Sequence, residues 1–134
     1  MQNRKLLNIE LGRVSADEYK ELPESGLVVV LDNIRSAHNV GSAFRTSDSF
    51  KIDKVWLCGI CAVPPSAEIH KSALGAEDSV AWEHADDTME AVRRLKEEGY
   101  TVLSSELDAG ASSPENIAPT EKMAVIIGNE SRGV

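Results

Sequence analysis

The chain has 134 residues, 42% hydrophobic and 27% charged, which is enough for one domain with a single core. No apolar run approaches the roughly 18 residues of a membrane span, and the N-terminus lacks the apolar segment of a signal peptide, so we expect a cytoplasmic protein without membrane contact. The net charge of -8 disfavours a broad nucleic-acid surface, although it leaves room for a local basic face.

The first element in chain order is a short helix. Residues 15–18, "SADE", have the Ser-x-x-Glu form of a capping box, and Pro23 and Gly26 then end the predicted helix. We therefore expect an N-terminal helical extension over residues 1–26 and a main domain over residues 27–134.

Four short apolar or β-branched runs predict strands: "LVVVL" (27–31), "KVWLC" (54–58), "TVLSS" (101–105) and "MAVIIG" (123–128). Helices are predicted between them at residues 40–50 and 86–99. This alternation predicts an α/β, Rossmann-like parallel sheet with helices on both faces. Ligands of such sheets bind at the carboxyl ends of the strands, so the loops that follow the strands are the candidate sites.

The loop after the first strand is rich in amides and arginines. It contains "DNIRSAHNVGSAFRTSD", residues 32–48, and no dinucleotide-binding or P-loop glycine motif follows the strand. A helix N-terminus with Gly41 for close approach and an arginine such as Arg45 could cradle a phosphate. Alternatively, Asn39 only caps the helix while Arg45 pairs with Asp48 or Asp32.

The last loop, "IIGNESRGV" at residues 126–134, follows the most apolar strand. Gly128 and Gly133 bracket a polar segment and would let the backbone approach a ligand closely. A simple polar turn has a similar composition, so this loop alone does not distinguish the two interpretations.

The two cysteines occur in "CGIC" as Cys58 and Cys61. This spacing is found in redox pairs and zinc sites, but the segment runs from a strand into two prolines, and no second cysteine pair completes a tetrahedral site. We expect a small apolar residue in a strand and a loop residue, both reduced, and no bound metal.

Three separated segments together resemble a known family. "DNIRSAHNVGSAFRT", "LCGICAVPPSAEIHKSALGAEDSVAWE" and "AVIIGNESRGV", in this order and spacing, are similar to the SpoU family of the SPOUT superfamily. The resemblance covers residues 27–134. It implies S-adenosylmethionine (AdoMet)-dependent methylation of a ribose 2′-hydroxyl in tRNA or rRNA, an α/β-knot fold and a homodimer.

The resemblance also implies roles for individual residues. The implied catalytic residues are Arg45, Asn39 and Glu130. The implied AdoMet-binding residues are Leu103, Ser104, Ser105, Glu106, Gly128, Asn129 and Gly133. We expect RNA contacts at Arg35, His38, Ser42 and Arg132.

One departure concerns the third motif of the family, which forms the knot and completes the AdoMet pocket and which does not occur before Val134. We therefore expect the 134-residue chain to be an unknotted, inactive fragment without AdoMet affinity, with uncovered apolar surface near Val125, Ile127 and Val134. The alternatives are a non-catalytic RNA-binding remnant and a flavodoxin-like interaction domain.

Overall fold

The structure is a computed structural model that describes residues 25–105, 110, 112–113 and 120–134. The predicted capping box and nearly all of the predicted N-terminal extension lie outside these residues. None of the helices in the described ranges has the length and apolar character that crossing a membrane would require.

The described elements alternate between strand and helix. In chain order they are β1 (Leu27–Asp32), α1 (Ala37–Ser49), β2 (Lys54–Cys58), α2 (Ala67–Ala73), α3 (Ala76–Ser79), β3 (Trp82–Ala85), α4 (Thr88–Glu97), β4 (Thr101–Ser105) and β5 (Met123–Ile127). All four predicted strands are confirmed. The short elements α2, α3 and β3 were missed, because none exceeds seven residues and the β3 segment "WEHA" has no apolar run.

The five strands form one parallel sheet in the order β3-β2-β1-β5-β4. Strand β5 lies between β1 and β4, with Val28 opposite Ala124 and Leu103 opposite Val125. The predicted parallel sheet is thus confirmed, and the loops after β1 and β5 leave the same edge of the sheet side by side.

Helices cover both faces of this sheet, as the sequence predicted. In β2, Val55 and Leu57 belong to the core shared with α1, α2 and α3, whereas Trp56 and Cys58 belong to the core shared with α4. This alternation follows from the two-residue period of a strand, which sends neighbouring side chains to opposite faces. After Lys54 the strand is therefore apolar, because both of its faces are buried.

The predicted apolar surface near β5 is largely confirmed. Ile127 is 41% exposed and Val134 is 47% exposed. Val125 is partly buried, so it contributes less to this surface than the sequence predicted.

Helix α1 packs closely on α2 at Gly41. A Cβ atom at this position would lie 2.0 Å from the Ser72 Oγ and 2.3 Å from the Ile69 carbonyl oxygen. The Ser72 hydroxyl also donates to the His38 carbonyl at 2.7 Å. Gly41 is therefore a packing residue, which corrects the interpretation that it lets a phosphate approach the helix.

Replacing Gly41 with Ala tests this assignment. We expect Gly41→Ala to lower the free energy of unfolding by about 1–3 kcal/mol, because the added methyl group overpacks a backbone contact. Urea denaturation measures the change. The matched control is Thr46→Ala, an exposed position of the same helix, which should change stability by less than about 0.5 kcal/mol. Equal effects in the two variants would contradict the packing role.

Candidate functional site

Three loops meet at the carboxyl edge of the sheet, after β1, β2 and β5. Asn33, which follows β1, has a positive φ of 54° and donates its N–H to the Cys58 carbonyl at 3.2 Å. Its side-chain oxygen accepts from the Ile60 N–H at 3.0 Å. A Cβ at Gly59 would lie 1.9 Å from that oxygen, so this turn requires glycine. The first two loops are thus fixed to each other.

Cys61 connects the same two loops on their buried side. Its buried Sγ accepts from the Ile34 N–H at 3.2 Å and donates to the Leu31 carbonyl at 3.4 Å. Burial raises the pKa of both cysteine thiols, that of Cys58 to about 12, so both are held in the neutral form. The predicted strand and loop positions of the two free cysteines are confirmed. Within the described ranges, no group of three His, Cys, Asp or Glu residues could hold a metal ion.

The third loop is a tight hairpin over residues 128–134, called here the C-terminal hairpin. Asn129 and Gly133 exchange backbone hydrogen bonds of 3.1 and 2.8 Å. The Asn129 side-chain oxygen accepts from the N–H groups of Ser131 and Arg132 at 2.9 and 3.1 Å. A Cβ at Gly128 would lie 2.2 Å from the Gly133 carbonyl carbon, so the hairpin closes only with glycine there.

Glu130 ties this hairpin to the start of α1. Its carboxylate accepts from the Arg35 N–H at 3.1 Å, from the Ser36 N–H at 3.2 Å and from the Asn39 side-chain amide at 3.2 Å. We call this arrangement the Glu130 junction. Beside it, the Asn129 amide donates to the Asn33 carbonyl at 2.7 Å. The two loops singled out in the sequence, 95 residues apart, therefore form one site.

Hydrogen bonding lowers the pKa of Glu130 from its ordinary 4.5 to about 2. The bond from its own backbone N–H is the largest cause, followed by the bond from Arg35; the bonds from Ser36 and Asn39 act in the same direction, against a small opposing effect of burial. The carboxylate is consequently ionised at neutral pH and acts as a fixed acceptor.

The junction corrects two details of the sequence interpretation. Ser36, and not Asn39, is the N-cap of α1, because the Ser36 hydroxyl accepts from the Asn39 N–H at 3.1 Å. Two N–H groups at the start of the helix, where one sequence interpretation placed a phosphate, belong to Arg35 and Ser36 and already bind Glu130. The protein's own carboxylate thus occupies the anion position at this helix terminus.

Arg45 lies on the exposed side of α1. With His38 and Ser42 it forms one stripe at the helical spacing i, i+4, i+7. In the described part of the chain no carboxylate lies within ion-pairing distance of its guanidinium, so the expected pairing with Asp32 or Asp48 is not observed. The Asp32 carboxylate instead accepts from the Thr88 hydroxyl at 2.5 Å.

Two clefts flank the C-terminal hairpin. The Arg35 cleft has a volume of about 430 Å³ and is lined by Arg35, Asn33, Asp32 and Ile60 together with hairpin residues. The Ser105 cleft has a volume of about 530 Å³ and is lined by Ser105 and Ile127 together with the hairpin residues 128–133.

The predicted cofactor residues fall mostly at the second cleft. Ser105, Gly128, Asn129 and Gly133 line the Ser105 cleft. Leu103 and Ser104 lie beside it on β4, and Glu106 lies outside the described residues.

Two residues that line the Arg35 cleft were missed in the sequence. Ile60 is 62% exposed and belongs to the loop after β2. Because this loop follows the carboxyl end of a strand, its position could have identified Ile60 as a candidate site residue. Ser131 was named only as part of the polar segment in the last loop.

These features define a parallel α/β protein whose site is built from the loops at the carboxyl edge of its sheet. The chain belongs to the SpoU rRNA Methylase family, whose profile matches residues 26–134. The expectation drawn from the three sequence segments is thereby confirmed.

Two relatives of this chain are named as RNA methyltransferases. A 23S rRNA (guanosine-2′-O-)-methyltransferase, RlmB, from Nitrosomonas europaea is 31% identical over 118 residues, covering 88% of this chain and 45% of the relative. A "putative TrmH family tRNA/rRNA methyltransferase" from Staphylococcus haemolyticus is 31% identical over 107 residues, covering 80% of this chain and 43% of the relative. The chain thus spans less than half the length of these two relatives.

Solved structures give the same fold. An rRNA methyltransferase from Sinorhizobium meliloti superposes with a TM-score of 0.75 at 25% identity, covering 87% of this chain and 45% of that one. The AdoMet-bound rRNA methyltransferase from the same organism gives a TM-score of 0.76 at 24% identity over the same shares of both chains.

The depressed pKa of Glu130 predicts how its contribution to stability depends on pH. Because the pKa is lower in the folded state, the ionised carboxylate stabilises the fold fully above about pH 4.5, and this contribution is lost as the pH falls to about 2. We expect Glu130→Gln to destabilise the protein at neutral pH and the difference from wild type to shrink over that interval. Urea denaturation at a series of pH values measures it.

The matched control is Glu97→Gln, since Glu97 is exposed at the end of α4. The unfolding free energy of this variant should follow wild type across the same pH range. A constant difference between Glu130→Gln and wild type down to pH 2 would show that the junction does not depend on the charge of Glu130.

Proposed function

We propose that the protein to which this chain belongs transfers a methyl group from AdoMet to a ribose 2′-hydroxyl of tRNA or rRNA, with residues 27–134 as its catalytic domain. The observation that carries the proposal is the Glu130 junction, which joins the two loops that supply the implied catalytic residues. Membership of the SpoU family supports the reaction class, and the name of the Nitrosomonas relative supports the 2′-hydroxyl.

The Ser105 cleft is our candidate for the AdoMet site. Its volume suits a ligand of this size, and the exposed Ser105 hydroxyl at the end of β4 can hydrogen-bond an adenine or a ribose. Membership of the SpoU family supports this cofactor. In our proposal Leu103 and Ser104 of β4 also contribute to AdoMet binding, and the family resemblance assigns Glu106 to the same ligand.

The reaction sets two requirements. Methyl transfer is an in-line displacement at the sulfonium carbon, so the 2′-oxygen must lie behind the methyl group and must lose its proton. Arg45 assists the second requirement by stabilising the developing alkoxide and holding the adjacent phosphate, while the 2′-proton passes to solvent water. A guanidinium has a pKa above about 12 and is a poor free base, which favours this role over proton abstraction.

The Glu130 junction has a positioning role in this proposal. Its carboxylate already accepts two backbone N–H groups and the Asn39 amide, so it has little capacity left to act as a base. Asn39 and Glu130 therefore orient α1, which carries Arg45 about 9 Å further along its axis, six residues at about 1.5 Å each. His38 and Ser42 lie on the same exposed stripe and contact the RNA.

The family resemblance further implies a knotted, homodimeric protein, and a tRNA or rRNA substrate favours a cytoplasmic location. We propose this for the complete protein. The exposed Ile127 at the end of β5 and the exposed Val134 at the end of the C-terminal hairpin provide apolar surface for such contacts.

Arg45→Ala in the complete protein should reduce methyl transfer by at least about 10²-fold while leaving the fold and AdoMet affinity unchanged, because the side chain is exposed and its loss removes only transition-state stabilisation. Incorporation of tritiated methyl groups into bulk tRNA and rRNA measures activity, and a melting curve measures the fold. Arg93→Ala, an exposed position on α4, is the matched control and should retain wild-type activity.

Methylation by Arg45→Ala at the wild-type rate would overturn the role of Arg45. If the wild-type protein binds RNA but has no affinity for AdoMet, it is a non-catalytic RNA-binding protein. One that binds neither would favour the flavodoxin-like alternative.

Gly128→Ala should abolish AdoMet binding, since a Cβ at this position collides with the Gly133 carbonyl and opens the C-terminal hairpin. Isothermal titration with AdoMet measures the loss in the complete protein. Arg45→Ala serves here as the control that retains binding. Unchanged affinity in Gly128→Ala would mean that the cofactor lies outside the Ser105 cleft.

A further inference from the structure

Two arginines line the Arg35 cleft from opposite loops, Arg35 after β1 and Arg132 in the C-terminal hairpin. Both are exposed, and neither guanidinium has a hydrogen bond or an ion pair to any residue in the described ranges. The contrast with Arg94 is clear, because its guanidinium lies 5.0 Å from the centre of the Trp56 ring and 3.8 Å from a Glu83 oxygen. The cleft therefore presents two arginines that the fold has left without a described partner.

The backbone under both arginines is fixed. The Arg35 N–H donates to Glu130 at 3.1 Å, and the Arg132 N–H donates to the Asn129 side chain at 3.1 Å. The Asn129 amide also donates to the Asn33 carbonyl at 2.7 Å. Hydrogen bonds between the two loops thus set the spacing of the arginines before any ligand arrives, which lowers the entropic cost of binding.

The carboxylates near this cleft are already bound to other groups. Glu130 is held by backbone N–H groups at the junction. The Asp32 carboxylate accepts from the Thr88 hydroxyl at 2.5 Å and from the Asn33 amide at 3.0 Å. Neither acid forms an ion pair with the arginines. Hydrogen bonds from neutral donors do not cancel the charge of a carboxylate, but the residues that line the Arg35 cleft include two guanidinium groups against the carboxylate of Asp32, so the lining has an excess of positive charge although the whole chain carries -8.

We propose that Arg35 and Arg132 together grip one phosphodiester of the substrate RNA, an arrangement called here the arginine clamp. Guanidinium groups suit this task because their N–H donors match two phosphate oxygens. The exposed side chain of Ile60 offers an apolar surface to the adjoining nucleoside. This inference rests on the proposed function and assigns the two sides of the hairpin to different ligands.

The charges of RNA and AdoMet indicate which of the two clefts binds each ligand. AdoMet carries a sulfonium and an ammonium group against a single carboxylate, so it is a net cation. The lining of the Arg35 cleft has two guanidinium groups against the carboxylate of Asp32, whereas Arg132, which also lines the Ser105 cleft, is matched there by Glu130, so the Arg35 cleft is the less favourable site for a cation. A phosphodiester is an anion and is attracted by the two guanidinium groups. The Arg35 cleft thus takes RNA, and the Ser105 cleft takes the cofactor, with the thin C-terminal hairpin between them.

A free phosphate ion has the same chemistry as the phosphodiester. The RNA backbone is favoured because a cleft of about 430 Å³ is much larger than a bare phosphate and has an apolar residue in its wall. A competition experiment with inorganic phosphate distinguishes the two sources.

The test measures binding of fluorescently labelled bulk tRNA and rRNA to the complete protein over a range of salt concentrations. Arg35→Gln and Arg132→Gln should each weaken binding about tenfold, and the double variant should make the salt dependence shallower by about 0.7 in the log-log slope, as expected for loss of the one shared phosphate contact. The double variant should lose less than the product of the single losses, because both side chains hold the same phosphate. The AdoMet affinity of Arg35→Gln should equal that of wild type.

Arg93→Gln removes the same charge from the exposed side of α4 and is the matched control, with an unchanged salt slope expected. Equal losses in Arg35→Gln and Arg93→Gln, or losses that multiply in the double variant, would overturn the clamp. So would displacement of the RNA by inorganic phosphate beyond the effect of chloride at equal ionic strength. If wild type methylates RNA while any of these holds, only the clamp fails; if wild type binds no RNA, the proposed function fails with it.

Discussion

The position of the whole site depends on one carboxylate at the start of one helix. Glu130 reaches across 95 residues of sequence to the N–H groups of Arg35 and Ser36, where a helix terminus carries partial positive charge. Bringing together two residues so far apart in the sequence costs conformational entropy. The parallel pairing of β1 with β5 offsets most of this cost, because it already holds the two loops side by side. Glu130 then fixes their relative orientation, which pairing alone leaves open.

The sheet order explains why this contact is possible. Since β1 and β5 are neighbours, the loops after them leave the same edge next to each other, and the loop after β2 joins them from the other side. Each close approach depends on a residue without a Cβ or with a short amide. Gly59 lies against Asn33, and Gly128 lies against Gly133. Most polar side chains of these loops therefore hydrogen-bond backbone groups. The side chains without such bonds are those available to a ligand.

The sequence predicts the sheet better than it predicts the site. The apolar runs identified β1, β2 and β5 because these inner strands are covered on both faces by helices or neighbouring chain. The edge strand β4 was identified from the shorter β-branched and apolar run that begins "TVL". Gly41 was misread, since a glycine behind a polar loop looks the same whether it approaches a ligand or, as here, the Ile69 carbonyl of another helix. The residues of the Glu130 junction were named individually, but hydrogen bonds between residues so far apart cannot be read from local pattern. The motif resemblance, and not periodicity, singled out Arg45.

An acidic protein can still present a basic site if its nearby acids are engaged elsewhere. The chain has 22 acidic and 14 basic side chains, so a random arrangement would pair most arginines. Around the C-terminal hairpin, backbone N–H groups bind Glu130, and a hydroxyl and an amide bind Asp32. These neutral donors fill hydrogen-bonding positions of the carboxylates, so neither carboxylate forms an ion pair with an arginine. Arg35, Arg45 and Arg132 have no ion pair within the described residues, so under the proposed function their guanidinium groups are available to RNA phosphates.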